Sequence, residues 1–106
     1  MAKYTQLAGF VSNLVAKLGD NDADLPVHEP HVALLRQRLG TDGYTYLRIT
    51  DGTVIEYVKL SAVNGALRLE RGLEETTPHT FPVGSCVAWE ITPGAVRDIV
   101  CQMPCC

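Results

Sequence analysis

The sequence predicts a mainly β fold, a small antiparallel β-sandwich or partly open barrel, on three observations. Asp51-Gly52 and Asn64-Gly65 are dipeptides that accept the positive φ of tight hairpin turns. The segments flanking them alternate apolar and polar residues, the period of a strand with one buried face. Residues 86–91 alternate in the same way, with Val87, Trp89 and Ile91 on one side.

These signals make a three-strand meander. Residues 44–50 form the first strand, with Leu47 and Ile49 facing one way, and Asp51-Gly52 reads as a two-residue turn of the primed type. Residues 53–62 return, Asn64-Gly65 turns again, and residues 66–70 place Leu67 and Leu69 inward. Ahead of the meander, Leu7, Phe10, Val11, Leu14, Val15 and Leu18 recur at helical spacing and Gly19 can stop them. Residues 1–20 are therefore expected as an amphipathic helix or as an arm packed on a neighbour. Leu25-Pro26-Val27 suits a short edge strand, where proline is tolerated. Residues 31–39 form a short helix with Val32, Leu35 and Leu39 on one face, stopped at Gly40. Residues 71–85 read as a polar loop. Thr92-Pro93 opens a second short helix, around 93–101, by supplying an N-cap and a proline at the first helical position. Residues 101–106 are an irregular cysteine-rich tail.

At 106 residues the chain is expected to form a single domain, with one modest core. Nine Lys+Arg against twelve Asp+Glu give a formal charge of -3, which argues against nucleic acid as partner, since phosphate binding needs a basic surface. No apolar run reaches the length of a membrane span, and the start lacks the pattern of a secretory signal. Synthesis in the cytoplasm is the expectation that follows, and with it reduced cysteines rather than a disulfide framework.

From the second strand onward the residues resemble a module of tailed-phage and prophage tail proteins. The run is Glu56-Tyr57-Val58-Lys59-Leu60-Ser61-Ala62, then Leu67-Arg68-Leu69-Glu70-Arg71-Gly72-Leu73-Glu74-Glu75-Thr76-Thr77-Pro78, then Phe81-Pro82-Val83-Gly84. The family form reads E-I-V-K-V-T-A, a turn, L-T-V-x-R-G-Q-E-G-T-T-A, then an aromatic, a small residue and a glycine. Leu73, Glu75 and Pro78 depart from it, standing where the family has glutamine, glycine and alanine. The resemblance is clear over residues 44–100 and weaker over 10–27. It implies a virion structural protein of a tail tip, baseplate or fibre attachment region, made in the host cytoplasm and not an enzyme. It implies partners too: other tail proteins, and further copies of the chain in a trimer or hexamer. Leu7, Phe10, Val11, Leu14, Arg71, Glu74, Thr76, Thr77 and Phe81 are the residues expected at such contacts. Within the loop, Arg71 and Glu74 can pair, and the hydroxyls of Thr76 and Thr77 can bond backbone groups.

Other chemistry is sparsely signalled. Cys86, Cys101, Cys105 and Cys106 are soft ligands that could close a zinc site or hold an iron–sulfur cluster, although their spacing is not a repeated C-x2-C. By alternation Cys86 points away from Val87, Trp89 and Ile91. His28 and His31 are separated by Glu29-Pro30, which is expected to keep them off a shared helical face, and with His79 they read as surface residues. Asp20, Asp22 and Asp24 alternate as calcium loops do, but without the closing glutamate, and read as a solvated turn. Trp89, in an alternating strand, is expected in the core.

Overall fold

The computed structural model describes residues 3–7 and 9–90, and the expected 93–101 helix lies outside them. The described chain is mainly β: β1 (Lys3–Tyr4), β2 (Val11–Asn13), α1 (Glu29–Leu39), β3 (Gly43–Thr50), β4 (Ile55–Val63), β5 (Ala66–Leu73) and β6 (Cys86–Trp89). The strands form one sheet in the order β2-β6-β3-β4-β5, and β1 runs parallel beside the start of β3. All the other pairings are antiparallel.

The meander stands where its turn residues place it. Asn64 and Gly65 have φ of 53° and 85°, the left-handed pair that a primed two-residue turn requires, and they join Val63 directly to Ala66. The first connection differs from the expectation. Thr50 pairs with Ile55, so the loop has four residues rather than two. The cause is local side-chain bonding. The N–H groups of Thr53 and Val54 donate to Asp51 Oδ1 (2.8 and 3.0 Å), and Thr50 Oγ1 donates to the Val54 carbonyl (2.7 Å). These backbone N–H groups, Val54 first and Thr53 next, hold the Asp51 carboxyl below its ordinary range.

One face of the sheet carries Leu47 and Ile49 from β3, Val58, Leu60 and Ala62 from β4, Leu69 from β5 and Val87 from β6, and Trp89 packs against this cluster. Helix α1 covers it with Leu35 and Leu39. The helix starts two residues earlier than expected because Pro30 sits in its first turn, where a missing N–H is no loss. It stops at Gly40, whose N–H donates to the Arg36 carbonyl at 2.9 Å. On the opposite face Tyr4, Tyr44 and Tyr46 lie with ring centroids 5.7 to 5.9 Å apart.

The N-terminal segment is not a helix. After a turn at Gly9 (φ 83°), Phe10, Ser12 and Leu14 point inward while Val11 and Val15 stand 59% and 55% exposed. That is period two, and it separates residues that a helix would have kept on one stripe. The segment runs antiparallel to residues 81–88, from Val11 opposite Ala88 to the bridge between Leu18 and Phe81. It then crosses to the far edge of the sheet. Leu14 bridges Val27, within the expected edge segment Leu25-Pro26-Val27, and the Leu69 N–H on β5 donates to the Ala23 carbonyl at 2.7 Å. The first and last strands of the sheet are thus linked by one connecting segment, although they do not pair with each other.

Leu14→Ala should destabilise the protein by about 2–5 kcal/mol, because it empties a packed core position. Val15→Ala should change stability by no more than about 0.5 kcal/mol, as surface positions do. Urea unfolding of the two variants checks this; equal losses would restore the helical stripe.

Candidate functional site

Alternation along β4 turns Glu56 to the same side as Val58, Leu60 and Ala62, so a carboxylate enters the interior at 0% exposure. Alternation along β5 turns Arg71 to the side of Leu67 and Leu69. The two meet as a bidentate pair, Arg71 Nε to Glu56 Oε2 at 2.7 Å and Arg71 Nη2 to Oε1 at 2.9 Å. The rest of both groups is filled as well. Glu56 Oε2 accepts the Gly72 N–H and Oε1 accepts the His79 N–H, both at 2.9 Å. Arg71 Nη1 donates to the carbonyls of Gly19 (2.5 Å) and Asp22 (3.0 Å), and Nη2 to that of His79 (2.6 Å). All five guanidinium donors and both carboxylate oxygens are engaged. Burial pushes the Glu56 carboxyl up, and the bonds from Arg71, His79 and Gly72 together with the Arg71 charge outweigh it, leaving the group below its ordinary value of 4.5.

The backbone is shaped for this arrangement. The β4–β5 register shifts between Lys59 opposite Glu70 and Tyr57 opposite Leu73, so Arg71 and Gly72 together face Val58. Gly72 sits in the bulge at φ 67°, and a Cβ there would lie 2.8 Å from Pro78 Cδ. Glycine is required twice over. Beyond it, Glu74 and Glu75 take φ of 54° and 65°, so Glu75 adopts a left-handed conformation that glycine accepts without strain. Thr76 Oγ1 donates to the Leu73 carbonyl (2.5 Å) and accepts the Tyr57 N–H (3.0 Å), which fastens the loop to β4.

The structure separates the residues expected at assembly contacts. Leu7, Phe10, Leu14 and Phe81 are buried in the chain's own core. Arg71 is the centre of the interior network, and its carboxylate partner is Glu56 rather than the nearer-in-sequence Glu74. Glu74 and Thr76 are half-buried, while Val11 and Thr77 are exposed. Val15 and Val83, the latter 63% exposed, face solvent as Val11 does. Val83 was absent from the expected set because the polar loop around it showed no strand pattern. An open depression of about 390 Å³ lies beside it, lined by Asp51, Pro82, Val83 and Cys86 among others. The hydroxyls there, Thr50 and Ser85, donate to the carbonyls of Val54 and Pro82.

The remaining candidates fall as follows. His28 is the residue before α1, and its ring lies 6.0 Å from that of His31, so Glu29-Pro30 does not keep the two apart. His31 Nδ1 is 2.6 Å from the buried hydroxyl of Ser12, which ties α1 to β2. Asp22 accepts the Gly19 N–H at 2.6 Å and organises its own turn. Cys86 is a half-buried free thiol; Cys101, Cys105 and Cys106 lie outside the described residues. Among the described residues, no three His, Cys, Asp or Glu side chains are grouped to hold a metal ion, and no helix is long and apolar enough to cross a membrane. No protein-family model matches the chain, and neither a curated protein nor a solved structure matches it.

Glu56→Leu should lower stability by about 3–5 kcal/mol, since it leaves a buried guanidinium without its counter-charge. The Glu56→Leu/Arg71→Leu double variant should lose less than the sum of the two single losses. Because the folded-state carboxyl lies below 4.5, its contribution is complete above that pH and disappears as pH falls through the folded value. The stability gap between the wild type and Glu56→Gln should therefore shrink on acidification, as urea titrations at stepped pH would show. Glu75→Gly should raise stability by about 0.5–1 kcal/mol by relieving the left-handed strain, measured in the same way.

Proposed function

We propose that the chain is a structural component of a phage tail, at the tip, the baseplate or the fibre attachment region, which works by assembling with other tail proteins and with copies of itself. The observation that carries the reading is the resemblance of the 56–84 run to the tail module. Its distinctive residues have particular conformational tasks in this chain. Arg71 and Gly72 make the interior network and the bulge, Thr76 fastens the loop, and Glu75 holds a positive φ where the family carries glycine. The departure at Glu75 is thus compatible with the path that a glycine would take.

Assembly needs a surface that the core does not use. Val11, Val15 and Val83 are apolar side chains that the core leaves facing solvent. Four of the residues first expected at contacts belong to the core, so the contact surface shifts outward to these valines and to the Glu74–Thr77 loop.

Size-exclusion chromatography with light scattering, on the protein alone and mixed with other tail proteins of the same phage, tests the reading. The expected result is a defined oligomer or mixed complex that Val11→Glu and Val83→Glu weaken while leaving the melting temperature unchanged. A strictly monomeric protein that binds none of those proteins would overturn it.

A further inference from the structure

We draw no further inference here: the strongest candidate, the exposed valine face of Val11, Val15 and Val83 beside the half-buried Cys86, belongs to the surface already described, and nothing in the structure shows what covers it.

Discussion

The carboxylate that Glu56 brings into the interior has to be neutralised and hydrogen-bonded there, because an isolated buried charge costs several kcal/mol. Arg71 supplies the counter-charge, but a guanidinium brings five donors, and only two of them can go to one carboxylate. The other three reach the carbonyls of Gly19, Asp22 and His79, and two backbone N–H groups complete Glu56. Satisfying one ion pair therefore joins four separate stretches of chain: β4, the end of β5, the turn at residues 19–22 and the loop at His79. A neutral apolar pair at the same place would fill space without fixing any of these connections.

The closure of the sheet follows from that joining. The segment from Leu14 to Val27 has a few backbone contacts, at Leu14, Val15, Leu18 and Ala23, and two carbonyls of its turn are held by Arg71. It carries Leu14, Leu18 and Val27 into the core and covers part of the β5 edge, which would otherwise present unpaired backbone groups. Phe81, at 0% exposure, is placed two residues beyond His79 and so depends on the same anchor. By contrast, the ion pair between Arg48 and Glu90 on the other face is 3.5 Å long and more than a third exposed on the glutamate side. Such pairs contribute little.

Local chemistry made the meander, the Asn64-Gly65 turn and the 31–39 helix legible, because each depends on residues adjacent in sequence. The first turn was half legible: Asp51-Gly52 marked its place, while the bonding of Thr50 and Asp51 side chains set its length. The N-terminal stripe misled for a physical reason. Leu7, Phe10, Leu14 and Leu18 are spaced three or four apart, and all four are buried, but a turn followed by an extended chain buries them as well as a helix does. Val11 and Val15, β-branched and flanking Ser12 and Asn13, were the residues that favoured the extended alternative. The buried pair was half legible: Glu56 lies within an expected strand, whereas Arg71 falls just past the expected strand end at residue 70, and β5 in fact runs on to Leu73. Sequence proximity pointed Arg71 to Glu74 instead, and only the bulge at Gly72 shows why the distant carboxylate wins.

Native-state hydrogen exchange of the Gly72 and His79 amides tests the central role of the buried pair most directly, since both donate to Glu56 at 2.9 Å. If the pair holds the closure together, both amides open only with global unfolding, with the same free energy as amides in the middle of β3 and β4. Exchange of His79 at the rate of an exposed loop, while β3 and β4 stay protected, would contradict it.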